Sequence, residues 1–267
     1  MKARPIVTPL ITVDSDLETV LLESLDHPLH DGEVVCVASK VIAIAQQRLV
    51  NLSQVKISDQ AKKLPPLVHP KDPAMRLALA ELVVREADHI FPFENAFVYL
   101  TLKDHALVAN AGIDLSNVPP GHAVLWPEDP WNWANQFRRL LMSHFGLSQM
   151  GVIVTDSHLS PLRRGVTGMA IAFSGIVGIQ SEIGMEDLYG KPLAFTEKAI
   201  AHDLASTAVL ISGEANECSP LAVIDQAPVM FTDETFDPQQ LMIDPAIDIF
   251  AAIYNQAFQD LMKIKSP

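Results

Sequence analysis

Cysteine, basic residues and long apolar runs are scarce in this chain, and each scarcity excludes a class of protein. Two cysteines, Cys36 and Cys218, are too few for a disulfide framework, so we expect free thiols in the core. With 19 basic and 32 acidic residues the net charge is -13, which argues against a nucleic-acid partner and an anionic membrane surface. The longest weakly polar run, 168–179, is shorter than the roughly 20 residues of a membrane-spanning helix. Since no apolar segment follows the N-terminal Met-Lys-Ala-Arg-Pro, we expect a cytoplasmic protein without a membrane partner.

Several common catalytic and binding signatures are also missing. The chain has neither G-x-x-x-x-G-K-[ST] nor a G-x-G-x-x-G after a strand, so a nucleotide would have to be held in another way. It has no zinc-type cluster of cysteine and histidine and no G-x-S-x-G turn for a serine nucleophile. Any metal site therefore depends on oxygen ligands from acidic side chains.

The residues that are present predict a well-packed α+β protein. Hydrophobic residues make up 49% of the chain and charged residues 19%, which permits a large core and disfavours disorder. Helical and strand patterns mix without a regular βαβ rhythm. Helices are predicted to start at Leu17, Pro73, Pro130 and Thr196 and in the tail at 248–263; strands are predicted at 33–38, 151–155, 169–173 and 221–224, with a hairpin at 96–109 and an exposed connection at 51–71.

Three short segments place an acid beside a turn at the end of a predicted element. They are Asn110–Val118 with Asp114, Thr155–Ser157 with Asp156, and Gly213–Glu217 with Glu214. Oxygen ligands of this kind suit Mg²⁺ or Mn²⁺, which use one or two carboxylates together with substrate phosphates and water. Taken singly, each acid is also explained as a turn or cap residue, and that alternative stays open. A cation beside Glu214 would offset the unfavourable helix dipole there.

Two other polar groups are candidates for substrate binding or proton transfer. The pair Arg163-Arg164 precedes a glycine and can hold a phosphate or a carboxylate with two parallel hydrogen bonds; the alternative is a solvated surface pair. His158 is a candidate acid or base, although a structural role is the alternative. Trp131 and Trp133 are expected in the core or an interface.

Together these segments resemble one family, the coenzyme F420-0:gamma-glutamyl ligases. The resemblance runs from about Val7 to Val223. Each motif taken alone would be weak evidence for the family, but the set of motifs in this order is specific to it. The matching segments are 34–40, 110–118, 127–130, 152–156, 164–171, 187–190 with Thr196, and 213–214.

The resemblance implies a reaction, a fold and a set of site residues. Such ligases use GTP and a divalent cation, Mg²⁺ or Mn²⁺, to join L-glutamate to a carboxylate of F420-0 through an acyl phosphate. It implies one α+β domain over 1–267, built of two intertwined subdomains, with an active site formed in a homodimer. By position, Asp114 and Asp156 would bind a first metal, Ser157 and Glu214 a second, and Arg164 would join Asp114 and Asp156 in catalysis; the nucleotide positions are Leu10, Ser39, Asn117, Gly213, Glu214 and Asn216.

Three positions depart from the family pattern. Ile44 stands where a nucleotide-binding lysine is usual, Leu159-Ser160 replaces a Gly-Arg pair, and Trp131 replaces an aspartate. Loss of a lysine that faces phosphate is expected to weaken nucleotide binding by about 1–3 kcal/mol. Because the acids are retained while their surroundings differ, three hypotheses stay open: an F420-type ligase, a ligase of the same mechanism with another acceptor, and a non-catalytic protein that binds metal or nucleotide.

Overall fold

The computed structural model describes residues 1–91, 97–244 and 247–250, and these ranges hold helices and strands in comparable amounts. The α-helices are α1 (Leu17–Glu23), α2 (Ser39–Ala45), α3 (Pro73–Glu86), α4 (Pro130–Phe145) and α5 (Ile200–Ser212). The strands are β1 (Lys2–Ile6), β2 (Val34–Ala38), β3 (Leu49–Asn51), β4 (His89–Phe91), β5 (Leu100–Lys103), β6 (Ala106–Ala109), β7 (His122–Val124), β8 (Gly151–Leu159), β9 (Val166–Ser174), β10 (Gln180–Ser181), β11 (Glu197–Lys198) and β12 (Leu221–Asp225). This mixture confirms the predicted α+β class.

Aspartate caps start three of the helices where the sequence predicts them. Asp16, Asp72 and Asp129 each accept a hydrogen bond from a backbone N–H in the first turn of α1, α3 and α4. Helix α4 ends at Gly146, whose φ of 67° favours glycine. The predicted start at Thr196 is wrong. Residues 197–198 pair with β10 as the short strand β11, which delays α5 until Ile200.

The chain divides into two compact units. Unit 1 contains residues 1–49 and 124–240, and unit 2 contains 50–123 and 241–267. The sequence predicted one domain of intertwined subdomains without a boundary. The chain crosses between the units after Leu49 and before Val124. That 1–267 forms one domain stays a prediction.

Unit 1 is built on a five-stranded mixed sheet in the order β1-β12-β2-β8-β9. Strands β2 and β8 are parallel, and the other neighbouring pairs are antiparallel. The central strands read as continuous apolar runs because their side chains are buried, as at Val34, Ile153 and Ile224. Helices α4 and α5 pack on β8 and β9. Strands β8 and β9 are longer than predicted, and β1 escaped prediction.

Unit 2 contains the antiparallel sheet β4-β5-β6 and helix α3. The predicted hairpin is confirmed for β5 and β6, while residues 92–96 lie outside the described ranges. The predicted exposed connection at 51–71 is wrong in part, because Leu52, Ala61 and Leu67 are buried. Helix α3 ends at Glu86, and Ile90 lies in β4. Most of the predicted tail helix, 251–263, lies outside the described residues.

The structure bears on two further expectations, free cysteine thiols in the core and the lack of a membrane-spanning helix. Both cysteines are free, as expected, but only Cys36 is in the core; Cys218 is exposed. Burial raises the pKa of the Cys36 thiol to about 12, so this group stays protonated. Each helix in the described ranges is too short or too polar to cross a bilayer.

Candidate functional site

One edge of the five-stranded sheet collects most of the predicted site residues of unit 1. Because β2 and β8 are parallel with Ala38 opposite Thr155, the residues that follow, Ser39 and Asp156, emerge at the same edge. Strand β12 starts at this edge, where the N–H of Ala38 donates to the carbonyl oxygen of Pro220 (2.8 Å). We call it the acidic edge; it is formed by Val7–Leu10, Ser39, Asp156–Ser157 and Gly213–Ser219.

Strand β1 brings the N-terminal segment to the acidic edge. Its last residue, Ile6, pairs with Leu221, and the N–H of Thr8 donates to the carbonyl oxygen of Cys218 (2.9 Å). The segment after β1 therefore runs beside the segment that precedes β12. Leu10, predicted at the nucleotide, is 78% exposed and is available to a ligand.

Asp156 is held in position by two donors. It lies within β8 rather than at its end, next to an irregularity in pairing between Val154 and Thr155, and it is half-buried. The indole N–H of Trp126 donates to Asp156 Oδ2, and the backbone N–H of Ser157 donates to Oδ1 (2.9 Å). These two bonds, one to each oxygen, restrict the rotation of the Asp156 carboxylate.

Glu214 is joined to β8 through Ser157. The Ser157 hydroxyl donates to both carboxylate oxygens of Glu214, at 2.8 and 3.1 Å. Glu214 follows Gly213, which ends α5 with a φ of 79°. With a ψ of 173° beside that φ, the backbone has a conformation that residues with a side chain rarely adopt, so this turn requires glycine. The predicted position of Glu214 at a helix C-terminus is confirmed.

The remaining predicted nucleotide positions of unit 1 differ in accessibility. Asn216 is exposed in the turn after α5, whereas Ser39, the first residue of α2, is only 4% exposed. Ile44 is also buried in α2, at 7% exposure. An isoleucine here packs in the interior, and the expected loss of nucleotide affinity relative to a lysine stays a prediction.

Arg164 is not brought to Asp156 within unit 1. The β8–β9 hairpin continues for three residue pairs beyond the pair Asp156–Met169, which is about 10 Å of strand. Arg164 follows in the exposed connection between the two strands. Its predicted catalytic role therefore draws no support from the unit 1 geometry.

His158 and His202 form a partly buried pair in unit 1. The Nδ1 atom of His202 accepts a hydrogen bond from the backbone N–H of Ala170 (3.1 Å), which requires an unprotonated Nδ1. Burial lowers the pKa of both imidazoles, and the charge of His158 lowers the pKa of His202 further. His158 lies in β8. The bond to Ala170 gives His202 a structural role.

In unit 2, the turn before Asp114 has an unusual backbone that its neighbours stabilise. Asn110, Ala111 and Gly112 have φ values of 50°, 55° and 74°. The side-chain Oδ1 of Asn110 accepts a hydrogen bond from the backbone N–H of Tyr99 (2.8 Å). The backbone N–H of Asn110 donates to the Tyr99 carbonyl oxygen (2.8 Å). The Thr101 hydroxyl accepts from the N–H of Ala111 (2.7 Å) and donates to the Val108 carbonyl (2.6 Å).

Asp114 itself is engaged by its own turn. Its Oδ1 atom accepts from the N–H of Ser116 (2.8 Å) and its Oδ2 atom from the Ser116 hydroxyl (2.8 Å). Asn117, predicted at the nucleotide, follows with a φ of 52° and an exposed side chain. These bonds are those of a turn residue, the alternative that the sequence left open.

The donor atoms of unit 1 fit a hard divalent cation to a limited extent. Within the described ranges, no group of three or more His, Cys, Asp or Glu side chains is arranged to hold a metal ion. Asp156 and Glu214 are two carboxylates joined by Ser157, and Mg²⁺ commonly binds one or two carboxylates and completes its shell with phosphate oxygens and water. The assignment of Asp114, Asp156, Ser157 and Glu214 to metal stays a prediction.

Trp126 contacts a predicted site residue but was not itself predicted from the sequence. Its indole is 5% exposed, and its N–H reaches the carboxylate of Asp156, 30 positions along the chain. The available signal was weak: a tryptophan at the end of the apolar run Ala123–Trp126, directly before the matched segment 127–130. A buried indole requires an acceptor, but the sequence does not say which one.

Comparison with known proteins gives matches along most of the chain. The family model described as F420-0:Gamma-glutamyl ligase matches residues 5–226. The chain is similar to the Coenzyme F420:L-glutamate ligase of Methanopyrus kandleri, with 36% identity over 208 residues, 78% of this chain and 79% of that protein. It is 32% identical to the ligase of that name from Methanococcus maripaludis strain C7, over 85% of this chain and 88% of that protein, and 33% identical to that of Archaeoglobus fulgidus, over 81% and 83%.

Proposed function

Because this chain belongs to the F420-0:gamma-glutamyl ligase family, we propose that it joins L-glutamate to the carboxylate of F420-0 or a related acceptor. We propose GTP as co-substrate and Mg²⁺ or Mn²⁺ as cofactor. The observation that supports this most is the acidic edge. Four stretches far apart in sequence meet there, and they carry Leu10, Ser39, Asp156 with Ser157, and Glu214 with Asn216.

The proposed reaction has two steps. An oxygen of the acceptor carboxylate attacks the γ-phosphorus of GTP, GDP leaves, and an acyl phosphate forms. The amine of glutamate then attacks the acyl carbon, inorganic phosphate leaves, and the nitrogen loses a proton as the amide forms. A bound divalent cation supplies neutralisation of the charge on the phosphates.

The residues of the chain have separate proposed tasks. Asp114 and Asp156 would hold a first cation, and Ser157 and Glu214 would hold a second. Leu10, Ser39, Asn117, Gly213, Glu214 and Asn216 would bind the nucleotide, and Arg164 would contact substrate. A homodimer and a cytoplasmic location belong to the same proposal.

A ligase with a different acceptor is the second candidate. Two of the three departures from the family pattern that favour it are buried residues, which limits their support for it. Trp131 is 8% exposed and packs edge-to-face on Phe173, with ring centroids 5.0 Å apart. Ile44 is buried as well, so both of these departures change interior packing. Leu159 is 50% exposed, and the segment Leu159-Ser160 is the exposed departure that favours a changed acceptor.

A substrate-omission experiment tests the proposed function. Purified protein is incubated with GTP, Mn²⁺, L-glutamate and F420-0, and GDP release is compared with amide product by mass spectrometry as each component is left out in turn. We expect both products only in the complete mixture. Product with another carboxylate but not with F420-0 would identify the second candidate. Mn²⁺ and GTP binding without turnover of any acceptor would identify a non-catalytic protein.

A further inference from the structure

Trp126 is the one buried tryptophan whose indole N–H meets an acid of the acidic edge in the described residues. It donates to Oδ2 of Asp156, while the backbone N–H of Ser157 donates to Oδ1. Two fixed donors, one on each oxygen, leave the carboxylate little freedom to rotate. The directions in which the two oxygens can accept hydrogen bonds or bind a cation are thereby fixed.

The backbone around Trp126 is itself fixed by the turn after α2. The N–H of Leu125 donates to the Arg48 carbonyl (3.1 Å), and the Arg48 Nε–H donates to the Trp126 carbonyl (3.0 Å). The Gln46 amide donates to the Glu128 carbonyl (3.0 Å) and accepts from the Glu128 N–H (2.7 Å). The polar links on both sides of Trp126 define where its backbone lies. With 5% exposure, the indole has little room to move.

We propose that Trp126 is a positioning residue, which orients the Asp156 carboxylate for a divalent cation through the hydrogen bond from its indole N–H. The inference rests on the proposed function, because it takes Asp156 as a ligand. Hydrogen bonds to a ligand from surrounding side chains set its orientation, and their loss commonly weakens metal binding 10- to 100-fold. A neutral donor also orients the carboxylate without competing with the cation for its charge.

Substitution of Trp126 by phenylalanine separates the hydrogen bond from the packing. Trp126→Phe keeps an aromatic ring in the site and removes the N–H. Trp133→Phe is the matched control, since Trp133 is similarly buried in the same unit, at 8%, and stacks on Phe137. We measure binding of Mn²⁺ alone from the electron paramagnetic resonance signal of the free ion.

We expect the dissociation constant for Mn²⁺ to rise about 10-fold or more in Trp126→Phe and to change less than about twofold in Trp133→Phe. Asp156→Asn should abolish this binding. Wild-type binding that is lost in Asp156→Asn but unchanged in Trp126→Phe would overturn the positioning role and leave the proposed function intact. If the wild type binds no Mn²⁺, the proposed metal role fails, and the positioning role fails with it.

A second measurement, which keeps Trp126 in place, tests the positioning role even if the Trp126→Phe variant does not fold. The chain has three tryptophans, so 5-fluorotryptophan labelling gives three ¹⁹F resonances, which Trp131→Phe and Trp133→Phe assign. We expect the Trp126 resonance to shift on addition of Mg²⁺, and to be displaced without Mg²⁺ in Asp156→Asn. A Trp126 resonance that stays in place under both changes would overturn the proposal.

Discussion

Asp114 of unit 2 and Asp156 of unit 1 are both predicted metal ligands, but their carboxylates are stabilised in different ways. Both oxygens of Asp114 accept hydrogen bonds from Ser116, two residues away. Asp156 accepts from its neighbour Ser157 and from Trp126, 30 positions away, and Ser157 in turn donates to Glu214. One acid belongs to a local turn, and the other belongs to an arrangement that only the folded sheet creates.

This difference shows which functional claims local geometry can support. The hydrogen bonds from Ser116 to Asp114 are those of a turn, so they give a ligand role no support, and that role depends on the family resemblance. The bonds around Asp156 join three separate parts of unit 1. Ser157 donates to two carboxylates, through its backbone N–H to Asp156 and through its hydroxyl to Glu214, an arrangement that a turn does not require. Substitutions that remove a predicted ligand carboxylate should therefore lower activity, whereas those that remove a hydrogen bond within the unit 2 turn should lower stability.

The largest effect is expected from Asp156→Asn. Asparagine keeps the size of the side chain but removes the negative charge, so we expect ligation turnover to fall on the order of 10³-fold. Asp225→Asn is the control, because Asp225 ends β12 at the opposite end of the sheet from the acidic edge. Initial rates of GDP release measure both variants. Equal rates for Asp156→Asn and Asp225→Asn would remove Asp156 from the site.

In unit 2, Thr101→Val should reduce stability. Valine deprives the buried N–H of Ala111 of its acceptor and the Val108 carbonyl of a donor, at a cost of about 2–3 kcal/mol in the free energy of unfolding. Thr101→Ser retains the hydroxyl and should cost less than about 1 kcal/mol. Urea unfolding followed by circular dichroism compares the two. Similar losses would mean that packing, and not the hydroxyl, stabilises the turn.

Ser157→Ala should have a moderate effect on metal dependence. It removes the hydroxyl that joins β8 to Glu214, so we expect the Mn²⁺ concentration for half-maximal turnover to rise roughly 10-fold. Ser181→Ala, at an exposed position in the short strand β10, is the control. The idea fails if Mn²⁺ titrations of the two variants coincide.

The smallest effect is expected from pH, acting on His202. Its folded-state pKa is lowered below the ordinary value of 6.5, chiefly by burial, so its contribution to stability is complete above that value. Stability should then fall as the pH drops from about 6.5 towards the folded-state pKa. His202→Asn keeps an acceptor for the N–H of Ala170 and cannot be protonated, so the stability of this variant should depend less on pH over that range. Thermal unfolding between about pH 5 and 8 tests this, and an unchanged slope would contradict it.

The sequence predicts local features of this molecule better than its long-range ones. The caps Asp16, Asp72 and Asp129 mark helix starts because a capping side chain acts on its own first turn. The family, the α+β class and the position of Glu214 after α5 are likewise confirmed. The predicted helix start at Thr196 is wrong because the pairing of β11 with β10 overrides the local preference for a helix.

The acidic edge was predictable only as separate motifs. That Ser39 and Asp156 emerge together follows from the parallel pairing of β2 with β8, which spacing in the sequence does not reveal. Trp126 escaped notice for the same reason, since its partner is determined by the fold. The burial of Ile44 and Trp131 likewise depends on tertiary packing. Because both residues are buried, these two departures from the family pattern affect interior packing and no longer favour a different acceptor.

The comparison of Asp114→Asn with Ser116→Ala tests most directly whether the acids predicted from the sequence serve the ligation reaction. Each variant removes part of the same local turn, but only Asp114→Asn removes a charge that could bind a cation. We measure amide product formed from F420-0 and L-glutamate with GTP and Mn²⁺. We expect Asp114→Asn to lose about 10²- to 10³-fold in turnover and Ser116→Ala to stay within a few-fold of the wild type. Equal, small losses in both variants would contradict this and leave Asp114 as a turn residue.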